Sequence, residues 1–193
     1  MQQLTEFVVT QKITPVANQY RITAGDGEGP LVAFARQKRL ALKERVALHT
    51  GEDGREEVCS FRARQVWDLG PTCDVTGPDG RDIGSFTKHA KASLLRSTWS
   101  VAPAGHPPVT GTERSAGIAV LRRAWKIADM VLPFAVPLPF VFHFDFVRDG
   151  VPVFSVERKW GIRDRYLVRI QDPGLDRRLV LSMAVALDAL QSR

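Results

Sequence analysis

Near the C-terminus the run Leu179-Val180-Leu181-Ser182-Met183-Ala184-Val185-Ala186-Leu187 has almost no polar side. A surface helix carries one apolar stripe, so a helix that is apolar all round must be enclosed by protein or by lipid. The stretch from Leu179 to Leu190 is interrupted by Ser182 and Asp188 and is too short for a bilayer, which takes about 20 apolar residues. Protein must enclose it. The chain before it is dominated by strand patterns, and a helix threaded through a β-barrel is the architecture that accommodates both.

Strand alternation assigns the faces. Phe140, Phe142, Phe144 and Phe146 share one side of their strand, opposite His143 and Asp145. Over 57–69 the apolar face is Cys59, Phe61, Ala63, Trp67 and Leu69, which leaves Arg62 and Arg64 outside. Over 162–170 Ile162, Tyr166, Val168 and Ile170 face the core, so Arg163, Arg165 and Arg169 point away. A Gly-containing turn, alternating apolar residues and then a base recurs at 29–36, 53–62, 79–88 and 149–158. Asp-Gly between strands predicts hairpins, because both residues tolerate the positive φ of a type I′ turn.

One β-rich domain over residues 1–193 is expected, since barrels often reach about 200–250 residues as one unit. The net charge of +6 biases encounters toward anionic partners. Cys59 and Cys73 lie in strand patterns and read as reduced core thiols. Residues 1–6 have neither the basic start nor the apolar run of a signal peptide, and Gln2 excludes myristoylation, so a cytoplasmic location is expected. Pro133, Pro137 and Pro139 break the other apolar run, 131–142, and no transmembrane span is expected.

A loop-plus-helix insertion is expected over about 103–131. Pro103 to Gly111 reads as a Pro/Gly-rich loop, and Ile118, Leu121, Trp125 and Ala128 form one helical stripe within 112–131, flanked by Arg122, Arg123 and Lys126. The final helix is expected to start at Asp172-Pro173 or at Asp176, either of which supplies a capping carboxylate.

The segment Asp172-Pro173-Gly174-Leu175-Asp176, followed by the apolar run and Asp188, resembles the Tubby-like barrels. These include LURP-one-related proteins and phospholipid scramblases, and the likeness is greatest to bacterial LURP-one-like proteins. The opening 7–13, the segment 37–42 and the Asp-Gly hairpins agree with it. The resemblance implies a closed barrel of about twelve strands around a buried C-terminal helix. Tubby domains bind phosphoinositides, which suggests anionic phospholipid or phosphoinositide-like head groups as partners. Only two carboxylates stand where scramblases carry an acidic calcium segment, whereas calcium takes 6–8 oxygens.

No cofactor is expected: the histidines show no paired metal spacing and the cysteines no Cys-x-x-Cys. His143 and Asp145 could orient a general base, but no nucleophile or oxyanion signature accompanies them, so a solvated or cross-strand polar pair is the reading adopted. No P-loop, dinucleotide fingerprint or nucleophile elbow is present. The expectation is a monomeric, non-catalytic protein that binds anionic lipid or another phosphate-bearing ligand, peripherally at the inner membrane surface. Arg36, Lys38, Arg62, Arg64, Arg163 and Arg165 are the candidate ligand residues. Arg122, Arg123, Trp125 and Lys126 are candidates for a membrane or partner helix. Nucleic-acid binding and a small-molecule or enzymatic site under the 112–131 helix stand as alternatives.

Overall fold

The computed structural model describes residues 1–38, 45–64, 71–89, 98–114, 143–159 and 164–191, excepting the side chains of 38 and 189–191. The described strands are β1 (Glu6–Ile13), β2 (Ala17–Ala24), β3 (Leu31–Lys38), β4 (Val46–His49), β5 (Glu57–Ala63) and β6 (Thr72–Thr76). They continue as β7 (Asp82–His89), β8 (Thr98–Pro103), β9 (Val109–Glu113), β10 (His143–Arg148), β11 (Val151–Lys159) and β12 (Arg165–Ile170), before helix α1 (Arg177–Gln191). Each strand pairs antiparallel with its sequence neighbours, and β1 pairs with β12 to close a twelve-strand barrel.

The barrel encloses α1. Residues 179–187 are each at most 1% exposed, which explains the missing polar side. Around them lie the inward residues expected from alternation: Cys59 and Phe61 on β5, Phe144 and Phe146 on β10, and Tyr166, Val168 and Ile170 on β12. Phe146 stacks on Phe154 at 4.0 Å between centroids, and Phe61 meets Phe86 edge-on at 5.7 Å. Cys59 and Cys73 are buried and free, and burial pushes their thiols up to about 11 and about 12. Ser182, the one polar residue within the run, has its hydroxyl 3.5 Å from Cys59 Sγ.

Antiparallel winding sorts the connections into two poles. At the entry pole, where α1 begins, lie the turns after β2, β4, β6, β8 and β10 and the segment from β12 into α1. Asp149 and Gly150 both have positive φ, 50° and 80°, as a type I′ turn requires. The Asp53-Gly54 and Asp79-Gly80 turns differ from that expectation. There only the glycine has positive φ, and each aspartate accepts a hydrogen bond from the backbone two residues on, an alternative its short side chain permits.

Asp176, not Asp172, caps the helix. Its Oδ1 accepts from Arg178 N at 2.9 Å, while Asp172 Oδ1 accepts from Gly174 N in the preceding turn. Arg177 closes this pole: it is 2% exposed, and its guanidinium donates to the carbonyls of Leu4, Asp172, Pro173 and Leu175.

The insertion expected over 103–131 is corrected at its start. Residues 103–113 are the end of β8, a turn and β9, because β-branched Val109, Thr110 and Thr112 pair with β8 and β10. Gly111 serves close packing there, since a Cβ would fall 2.1 Å from the Phe146 ring. The rest of the expected amphipathic helix, 115–131, lies outside the described residues. Among the described residues no helix is long and apolar enough to cross a membrane.

Candidate anion-binding face

At the exit pole the barrel interior turns polar. Asp188, near the end of α1 and 3% exposed, accepts hydrogen bonds from Tyr20 OH at 2.9 Å and from Tyr166 OH. Burial raises the Asp188 carboxyl above the ordinary carboxylate value, against the lowering effect of the two hydroxyls. Both tyrosines are pushed well above their usual value, first by burial and then by the facing carboxylate. Gln11 and Gln37 are buried on the same inward rows, and Arg158 pairs with Asp164 beside them. This cluster fastens the helix to the wall. Two hydroxyls directed at one carboxylate hold it in place.

His143 and Asp145 lie on the exterior of β10. Asp145 is held in a bidentate pair by Arg114, at 2.7 Å to each oxygen, and that hydrogen bonding keeps its carboxyl below the usual range. His143 Nε2 lies 3.3 Å from Asp145 Oδ1 but without hydrogen-bond alignment. Burial, then Arg114, lower the imidazole's affinity for a proton. The aspartate is engaged by an arginine instead of orienting the histidine, in keeping with a polar surface pair.

The outward cations are unevenly distributed. Arg165 on β12 stands opposite Thr10 on β1, and two residues on Lys12 is in register with Gln19 on β2, itself in register with Arg36 on β3. Arg165, Lys12 and Arg36 are exposed, near the exit pole, and none forms an ion pair among the described residues. Arg21, between them, is engaged by Glu52. The chain contributes no carboxylate between Glu6 and Asp26 or between Glu28 and Glu44, so this quarter is depleted of acids by sequence.

Arg62 and Arg64 form a second group on and beyond β5, two strands from Arg36, which is roughly 10 Å at the usual strand spacing. Both are exposed and line, with Ala63 and Asp74, a shallow depression of about 430 Å³. Arg64 is bound to Asp74 through two nitrogens, whereas Arg62 has no ion pair among the described residues. The exterior of β6 to β8 is hydroxyl-lined instead, with Thr72 bonded to Thr87 at 2.9 Å and Ser100 bonded to His89.

Of the residues anticipated from sequence, Arg36 and Arg165 therefore share one face, and Arg62 and Arg64 lie beside it with Arg64 already neutralised. Lys38 ends β3, its side chain outside the described residues. Arg163, Arg122, Arg123, Trp125 and Lys126 also lie outside them. Lys12 was missed. The alternation of Phe7, Val9 and Gln11 inward places it outward, and that signal was available in the sequence.

A family model described as LURP-one-related matches residues 31–188, from the first residue of β3 to the buried Asp188. Comparison with curated proteins gave no match. Comparison with solved structures gave none either.

Proposed function

The chain belongs to the LURP-one-related family, and from that premise we propose that it is a non-catalytic binding barrel whose basic quarter engages anionic lipid or another phosphate-bearing surface. One observation carries the reading: Lys12, Arg36 and Arg165 sit exposed on β1, β3 and β12, within a run of four adjacent strands, without a carboxylate partner among the described residues. A surface cation already paired adds little to a long-range field, whereas grouped cations without counter-charges raise the local concentration of anions. Each base brought to an anionic leaflet contributes about 1 kcal/mol, so a few together give weak, reversible attachment.

The alternative site depends on a helix expected over 112–131, of which 112–113 belong to β9 and 115–131 lie outside the described residues, so it gains no support from them. Co-sedimentation with anionic and with zwitterionic vesicles over a salt series, beside a nucleic-acid shift assay, tests the proposal. Preferential, salt-sensitive binding to anionic vesicles is the expected result. Equal binding to both vesicle types, or binding to nucleic acid alone, would reject it.

A further inference from the structure

Three large apolar residues are exposed among the described residues: Ile13 at 59%, Val16 at 78% and Val151 at 63%. Val151 stands by itself at the entry pole, where a single exposed apolar side chain is ordinary. Ile13 and Val16 flank one turn, the β1–β2 hairpin tip Ile13-Thr14-Pro15-Val16, at the exit pole beside Lys12.

The tip is held in shape. Thr14 N donates to Ala17 O at 3.0 Å, Thr14 Oγ1 donates to the same carbonyl at 2.6 Å, and Ala17 N donates to Thr14 Oγ1 at 3.1 Å. Pro15 fixes its own φ and has no N–H to leave unsatisfied on entering an apolar medium. The exposed side chains are thus presented without further ordering of the backbone, which lowers the cost of binding.

We infer that this hairpin tip is a hydrophobic wedge: Ile13, Pro15 and Val16 enter the head-group region of an anionic bilayer while Lys12, Arg36 and Arg165 lie against lipid phosphates. The inference rests on the anionic-surface reading above and commits it to a membrane over a soluble phosphate. Charge complementarity selects the occupant, because the wedge is continuous with the acid-depleted basic quarter. A tip of only three apolar side chains is also far below the roughly 1,200 Å² that a specific protein interface buries. Lipid accepts a small apolar tip, since insertion needs no shape-matched partner.

The test uses the full chain and vesicles of equal parts phosphatidylcholine and phosphatidylserine. Ile13→Ser with Val16→Ser should weaken vesicle binding at least about tenfold, a lower bound for two partly inserted aliphatic side chains, and abolish the fraction that persists at high salt. Lys12→Glu with Arg36→Glu should instead remove the salt-sensitive part. An environment-sensitive dye on Val16→Cys should shift to the blue with vesicles; the two native thiols are buried and stay unlabelled. Unchanged binding by the serine variant, with no dye shift, overturns the wedge and leaves the electrostatic reading standing. Failure of the wild-type chain to prefer anionic vesicles overturns both. A wild-type dimer that the serine substitutions dissociate, with vesicle binding intact, assigns the tip to a second copy and also overturns the wedge.

Discussion

Tyr20 on β2 donates a hydrogen bond of 2.9 Å to Asp188 on α1, joining residues 168 positions apart across the barrel interior. Tyr166 on β12 reaches the same carboxylate, so one side chain of the helix is pinned by two walls. Removing the acceptor strands two buried hydroxyls, at about 1–3 kcal/mol each. Asp188→Ala should therefore lower stability in urea by about 2–6 kcal/mol, and Asp188→Asn, which keeps an acceptor oxygen, by less. A loss no greater than that of an exposed substitution would show that the pin carries no weight.

The same carboxylate has a pH signature. Its folded pKa is raised by burial above its unfolded value, so the folded state favours the protonated form. Its contribution is fully present below the unfolded pKa, near 3.9, and declines as pH rises toward the folded one. Urea midpoints of wild type and Asp188→Asn, compared from pH 4 upward, should show a component that falls with pH in the wild type and is absent from the variant.

Asp176 behaves in the opposite sense. Burial pushes its carboxyl up, but hydrogen bonds from Arg178 and Gln2 outweigh burial and hold it below the ordinary value. The stability it confers is present above the unfolded pKa and is lost as pH falls through the folded one. Asp176→Ala should cost about 1–2 kcal/mol at neutral pH through loss of the helix cap, and should reduce the steepness of acid unfolding.

The enclosed helix sets the largest effect. Leu181 is fully buried on α1, so Leu181→Ala should cost about 2–5 kcal/mol. Leu181→Asp, or truncation before Leu179, should prevent cooperative folding, because a close-packed barrel cannot keep an empty apolar interior or an unpaired buried charge. Cooperative unfolding of the truncated chain at an unchanged midpoint would contradict the central position of α1.

Pairing predicts a difference between two neighbouring arginines. Arg62→Glu should weaken binding to anionic vesicles more than Arg64→Glu, since Asp74 already offsets the Arg64 charge. Arg62→Glu should change thermal stability little, within about 0.5 kcal/mol, as expected of an exposed site without an ion pair. Equal effects on vesicle binding would mean that the Arg64–Asp74 pair opens at the surface.

The sequence by itself determined the helix that must be enclosed, the hairpins and the faces of β5, β10 and β12, because these follow from local periodicity and turn chemistry. The apolar run at 179–187 admits no solvent face, and the period of two puts Arg62, Arg165 and Arg169 outward wherever their strands pair. Which cations remain without a partner was decided only by tertiary structure. Arg64 meets Asp74 through the β5–β6 register, and Arg165 comes to lie opposite Thr10, two residues from Lys12, only because β1 closes on β12, so those charges depend on register and closure. The same closure brings Tyr20, Tyr166 and Asp188 together from three separate elements. Pro103 to Gly111 likewise resembled a loop until β8 and β10 supplied the partners that make Val109–Glu113 a strand. Closure of β1 on β12 joins the two ends of the strand order, and neither composition nor periodicity encodes it.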